Sequence, residues 1–154
     1  TEIYTLSLHD ALPISKGWGY TDRQGNIVIE PGYTQAGGFS SGYAPVRSNR
    51  EDGSSFCFYI DKTDSRAFDR DFDLASVFNG GAASVQIQGA WRVFTVSGEL
   101  VGPDFDSLGE FLEGWAPAEL DGRKGFVDAS GNFRGSAQFT EVGRLFKPRR
   151  KENP

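Results

Sequence analysis

Gly17-Trp18-Gly19-Tyr20-Thr21-Asp22, then Gly25-Asn26-Ile27-Val28-Ile29-Glu30-Pro31, then Phe39-Ser40-Ser41-Gly42-Tyr43-Ala44-Pro45-Val46 make up a unit that returns along the chain three and a half times. The recurrence can be followed column by column. Phe39, Phe78 and Phe111 are each followed three residues on by glycine (Gly42, Gly81, Gly114), five on by alanine (Ala44, Ala83, Ala116) and seven on by a small apolar residue (Val46, Val85, Ala118). Six residues before each phenylalanine stands another aromatic, Tyr33, Phe72 or Phe105, and a decayed fourth copy sets Phe139 against Leu145 at the same interval. The steps from Phe39 to Phe78, to Phe111 and to Leu145 are 39, 33 and 34 residues, so the second unit carries an insertion of roughly one turn. Self-similarity at this period signals a solenoid, a propeller or an array.

Within a unit the signals are those of short strands. Gly17 to Asp22 reads as a strand, Arg23-Gln24-Gly25-Asn26 as a turn and Ile27-Val28-Ile29 as a β-branched second strand. Pro31 and the Gly37-Gly38 pair mark the connection to a third strand, Tyr43 to Arg47. The order returns as Ala90 to Val96, the turn Ser97-Gly98, Glu99 to Val101, Pro103 as a breaker and Trp115 to Glu119; the fourth unit gives Lys124 to Asp128 and the turn Ser130-Gly131-Asn132. Each unit is therefore a meander of about three strands. Two-residue periodicity puts Ala44 with Val46, Ala83 with Val85 and Ala116 with Ala118 on one face, small enough to pack tightly against the next unit. Tyr43, Ala82 and Trp115 face the other way, followed there by Pro45, Ser84 and Pro117. Proline in mid-strand makes this strand an edge or leaves its N–H side unpaired at that point. The repeated phenylalanines are expected to form a stacked core.

The 154 residues suffice for one core or one continuous stack. Glycine is frequent, 20 residues, and spread at intervals as many tight turns require. A formal charge of −5 with interspersed signs argues against nucleic acid or an anionic membrane as the main partner. The basic cluster Lys147 to Lys151 reads as a solvated tail. Cys57 is alone, so no internal disulfide forms. No run reaches the length of a membrane span, and the first fifteen residues lack the n- and h-regions of a signal peptide. That stretch, Thr1 to Ser15, matches no column of the repeat. It resembles the translation of a sequencing-adapter remnant and is read as non-native, the only histidine, His9, with it.

The residues Lys16 to Asp22, Gly25 to Pro31 and Phe39 to Val46 together resemble one full unit of the bacterial WG-repeat family. The resemblance covers residues 16 to about 146, strongest in the first unit. Cys57-Phe58 replaces Trp-Gly in the second, Trp91 is followed by Arg92 in the third, and Lys124 precedes Gly125 in the fourth. An intact Trp-Gly pair that survives once suits a packing or turn role. The resemblance implies a bacterial origin and an interaction or accessory role, and it brings no catalytic residues.

Tests for chemistry point the same way. Nucleophilic catalysis needs a base beside the nucleophile, and Cys57, in the slot of Trp18, reads as a buried hydrophobe. Asp69-Arg70-Asp71-Phe72-Asp73 alternates carboxylates as a calcium loop does, yet has Leu74 and Gly80 where such a loop needs glycine and a bidentate acid. Asp104, Asp106, Glu110 and Glu113 would be the carboxylates of a glycoside hydrolase, or simply a solvated edge.

The expectation is an all-β chain of tandem three-stranded meanders forming an open array or solenoid-like stack, with a partial β-propeller as the alternative. Residues 1–15 are set aside, 16–146 form the repeat domain (units about 16–48, 54–87, 88–120 and 121–146) and 147–154 the basic tail. Trp18, Gly19, Tyr20, Phe39, Gly42, Phe78, Gly81, Trp91, Phe111 and Gly114 anchor the repeats; Tyr43 and Trp115 are the candidate ligand contacts. No catalytic, cofactor or metal site is expected. The expected function is a non-enzymatic module binding a protein, a peptide or a cell-envelope glycan; the alternatives are a structural spacer within a longer surface array and a propeller-type hydrolase. The expected compartment is the cell envelope or the exterior if a native signal was lost, and otherwise the cytoplasm.

Overall fold

The structure, a computed structural model, describes residues 3–8 and 17–135. His9, the pair Phe139 and Leu145, and the basic tail lie outside the described residues. The described chain is all strand and turn: β1 Ile3–Leu8, β2 Gly17–Asp22, β3 Ile27–Tyr33, β4 Gln35–Ala36, β5 Tyr43–Asn49, β6 Ser55–Asp61, β7 Arg66–Phe72, β8 Leu74–Ala75, β9 Ala82–Ile87, β10 Ala90–Thr95, β11 Leu100–Phe105, β12 Ser107–Leu108, β13 Trp115–Leu120, β14 Arg123–Asp128 and β15 Phe133–Gly135. They form four small antiparallel sheets with orders β1-β2-β3, β4-β5-β6-β7, β8-β9-β10-β11 and β12-β13-β14-β15. None closes into a barrel.

The sheets are offset from the sequence units. Each of the last three takes the last strand of one unit and the first two of the next, and gains at its edge a two-residue strand absent from the expected three-stranded meander. That extra strand continues the last strand of the preceding sheet: β3 runs into β4 across Thr34, β7 into β8 across Asp73 and β11 into β12 across Asp106. At the three corners the N–H donates to the carbonyl of Arg47, Gln86 or Glu119 at 2.8–2.9 Å. One bent strand thus belongs to two sheets and ties them together. Ile3–Leu8 pairs along β2 where the other sheets carry the third strand of the preceding unit.

Alternation along the inner strands buries both of their faces. In β6, Cys57 and Tyr59 enter the core shared with the following sheet, whereas Phe58 and Ile60 enter the core shared with the preceding one. In β10, Phe94 and Val93 divide in the same way. The small column Ala44/Val46, Ala83/Val85 and Ala116/Ala118 therefore faces the preceding sheet, which is built from its own sequence unit: Ala44 and Val46 share a core with Tyr20 and Ile29, and Ala83 and Val85 with Tyr59 and Phe72. The repeated phenylalanines are also distributed, one to each of three cores, rather than stacked together.

Three local expectations change form. Pro31 and Pro103 lie inside β3 and β11, at bulges where the pairing register jumps from Trp18↔Tyr33 to Tyr20↔Ile29 and from Trp91↔Phe105 to Val93↔Val101. An unpaired bulge is where a missing N–H costs nothing. Second, the proline strands β5 and β13 are interior, so of the two expected outcomes, an edge strand or an N–H side left unpaired at the proline, it is the second that holds. Third, the insertion sits mainly in the β5–β6 hairpin, which closes through Arg50–Ser54 where β9–β10 and β13–β14 use the two-residue turns Gln88-Gly89 and Asp121-Gly122.

The Phe-x-x-Gly column is a hairpin. Ser40 and Tyr43 exchange both backbone hydrogen bonds across Ser41 (φ 56°) and Gly42 (φ 86°), and Leu112 and Trp115 do so across Glu113 (φ 52°) and Gly114 (φ 85°). Positive φ at both central residues is the type I′ turn, which matches strand twist and favours glycine. Gly19 serves differently: a Cβ there would lie 2.7 Å from Pro31 N, so the Trp-Gly glycine lets the β3 bulge close over β2.

Candidate functional site

After β4, β8 and β12 leave their sheets, the next residue is Gly37, Ser76 or Gly109. Its N–H donates to the carbonyl of Pro45 (2.8 Å), Ser84 (3.0 Å) or Pro117 (2.8 Å). The facing strand then has an N–H position with no ladder partner. Proline has no proton to satisfy there, and in the second unit the Ser84 N–H donates to Ser76 Oγ at 2.9 Å. The pairs are matched in size as well. A Cβ on Gly37 would sit 2.8 Å from Pro45 Cγ, and one on Gly109 2.6 Å from Pro117 Cγ. Gly–Pro and Ser–Ser are two self-consistent solutions of one position.

The tryptophan column divides along the same line. Trp18 accompanies Gly37 and Pro45, Trp91 accompanies Gly109 and Pro117, and Cys57 accompanies Ser76 and Ser84. Where Trp, Gly and Pro coincide, a groove opens to solvent. The first, about 380 Å³, is lined by Trp18, Gly37, Pro45 and Val46, with Arg47 and Glu110 among its polar residues. The second, about 460 Å³, repeats this lining with Trp91, Gly109, Pro117 and Ala118, and carries Glu119 and Lys124. In the Cys–Ser–Ser unit, Cys57 and Ser84 are almost completely buried, and Cys57 and Ser76 contribute to the lining of the first groove.

Buried hydroxyls hold the Gly/Ser column. Tyr20 Oη donates to Gly37 O at 2.7 Å and Tyr59 Oη to Ser76 O at 2.6 Å. Burial pushes both phenol pKa values up, so they stay protonated donors at neutral pH. The third unit has Val93 in this column, and there the Ser84 hydroxyl donates to Gly109 O instead.

Of the candidate contacts, Tyr43 is half-buried, its ring against Phe68 at 4.7 Å and Phe78 at 6.1 Å. Trp115 lies on the outer face of the last sheet, 43% exposed, near Leu112 at 70%. Neither residue lines either of these two grooves. Trp18 and Trp91 line the two grooves, Tyr20 supports the first, and Phe78 and Phe111 are buried in separate cores. Burial raises the Cys57 thiol pKa, and its Sγ lies 3.6 Å from Asp73 O. Within Asp69 to Asp73, Asp71 is paired with both Arg50 and Arg66, and Phe72 is in the second core. Asp104 pairs with Arg92 at 3.4 Å, Asp106 forms a strand corner, Glu113 sits in a type I′ turn, and Glu110 lines the first groove. Among the described residues no cluster of three or more His, Cys, Asp or Glu side chains is arranged to hold a metal.

Sequence reasoning kept Trp18 and Trp91 as anchors and missed their partners Pro45, Pro117, Gly37 and Gly109. The signal was present: the Trp, Gly and Pro columns change together between units. No curated protein and no solved structure matches the chain. Residues 18–50, which run from the first groove's tryptophan through its proline, match the family model described as WG containing repeat.

Proposed function

We propose that this chain is a non-enzymatic binding module whose contact surface is the pair of tryptophan grooves. One observation carries the reading: an indole, a pyrrolidine ring and a bare glycine recur together at two places, and all three are replaced together in the intervening unit. Packing couples the Gly and Pro columns to each other but leaves the Trp column free to drift. Linked replacement supports a shared role, which is to expose an apolar slot with polar residues beside it. Tyr43, proposed from sequence as a contact, shares its ring with the second core, so substituting it is expected to cost stability first.

The indole N–H resonances of Trp18, Trp91 and Trp115 provide the test. A panel of peptides and oligosaccharides is screened for shifts in these three signals. A binding module gives a ligand that moves Trp18 and Trp91 together. No response from any indole across the panel would sink the reading, and a response confined to Trp115 would move the binding surface to the end of the stack. The spacer reading draws on the exposed Trp115 and Leu112: interior sheets cover the corresponding face with the following unit, so an uncovered face suits a longer array.

A further inference from the structure

We infer that the two grooves recognise a neutral, flat-faced sugar chain. The inference rests on the binding-module reading and adds the ligand class. Each groove is lined by one aromatic ring, the indole, together with a proline and a glycine. A second parallel ring, which a slot gripping successive prolines would use, is absent from both linings. A single indole instead suits one face of a pyranose, whose axial C–H groups form an apolar patch against the π surface.

Charge gives the second step. The first groove is lined by Arg47 and Glu110 among others, and the second by Glu119 and Lys124. Each therefore holds one acid and one base, reached from different columns of the repeat, and is close to neutral as a whole. An anionic or cationic ligand would meet repulsion from one of the two at each site. A polyhydroxylated neutral ligand is matched by both, since its hydroxyls donate to the carboxylate and accept from the guanidinium or ammonium.

Spacing gives the third. Trp18 is on the first sheet and Trp91 on the third, two layers apart, or about 20 Å at the usual separation of packed sheets. Both grooves are open to solvent rather than enclosed, so a ligand long enough to span that separation would engage both. Two weak sites linked by one ligand then act as a bivalent pair.

The probes are cellohexaose and chitohexaose, neutral β-1,4-linked hexasaccharides with flat apolar faces, titrated into the full chain by calorimetry and by the indole N–H shifts. At least one is expected to bind saturably and move Trp18 and Trp91. Trp18→Ala and Trp91→Ala should each weaken binding about tenfold, and the double variant should abolish it. Trp18→Phe and Trp91→Phe guard against loss of fold, and should retain partial binding with unchanged circular dichroism. Arg47→Ala and Glu119→Ala, outside the cores, should weaken binding without moving the melting temperature. Failure of both hexasaccharides to bind overturns the inference, as does binding indifferent to both tryptophans. A decaproline peptide that moves the two indoles while the sugars do not would overturn the ligand class and leave the binding-module reading standing. Silence from sugars and peptide alike would remove both.

Discussion

At the scale of single residues, the chain's own repeats act as a mutagenesis series. Gly37 with Pro45 and Ser76 with Ser84 solve the same packing problem, so mixing them should fail. Gly37→Ser places a Cβ 2.8 Å from Pro45 Cγ and is expected to cost ~1–3 kcal/mol, while Gly37→Ser with Pro45→Ser should recover part of the loss. Urea denaturation of the two single variants and the double closes that cycle; strict additivity would refute the matching. The hairpin aspartates form a second series. Asp22 Oδ1 accepts the N–H groups of Gln24 and Asn26, Asp61 Oδ1 those of Thr63 and Ser65, and Asp128 Oδ1 those of Ser130 and Asn132. Side-chain donation from Asn26 and Thr63 leads the effect at Asp22 and Asp61, and the Asn132 N–H leads at Asp128; all three titrate below the ordinary aspartate value of 3.8. A folded-state pKa below the unfolded one gives stability that is complete above the unfolded value and is lost as pH falls through the folded one. The urea midpoint should accordingly hold from pH 7 to about 5 and drop below about 4. Asp22→Asn, Asp61→Asn and Asp128→Asn together keep the acceptors, remove the titration and should flatten that drop.

At the scale of the element, the β5–β6 hairpin is the one place where the repeat is longer than its neighbours need. Its tip carries Arg50, which lies 4.4 Å over the Phe56 ring and shares Asp71 with Arg66. These side chains are largely exposed, where ion pairs contribute little. Replacing Arg50–Ser54 by Asn-Gly, a type I′ sequence, should leave the fold intact and change stability by no more than ~1 kcal/mol, read from the denaturation midpoint. A loss of several kcal/mol would show that the tip is part of the core. The strands themselves were largely legible in the sequence, because alternation and the Phe-x-x-Gly turn are local signals. Pro31 and Pro103 misled as strand breakers because a bulge, which absorbs a missing N–H, is set by the facing strand and leaves no local mark. The grooves were hidden for a related reason. Trp18 and Pro45 are far apart in sequence and meet only because β3 bends into β4, a corner at Thr34 with no composition of its own.

For the whole molecule, the sharing of every core between adjacent sheets sets how stability is distributed. The middle core is the most aromatic: Tyr59, fully buried, lies within 5.9 Å of Phe68, Phe72, Phe78 and Phe94, ring centre to ring centre. The strands around it, β6, β9 and β10, have partners on both edges and packing on both faces, whereas β1 and β15 lie at sheet edges. Amide exchange should therefore be slowest in β6, β9 and β10 and fastest toward β1 and β15. Two substitutions at Tyr59 separate the terms that produce this gradient. Tyr59→Phe removes only the hydrogen bond to Ser76 O and should cost about 1 kcal/mol. Tyr59→Ala also empties the centre of the core and should cost ~3–5 kcal/mol, a large share of the stability of a domain this size. If the sheets were stable as independent units, that loss would be confined to β6 through β10 and the first and last sheets would keep their protection. Because the bent strands β3–β4, β7–β8 and β11–β12 each belong to two sheets, the expected result is the opposite: exchange accelerates in all four sheets of Tyr59→Ala, and unfolding by urea remains a single transition.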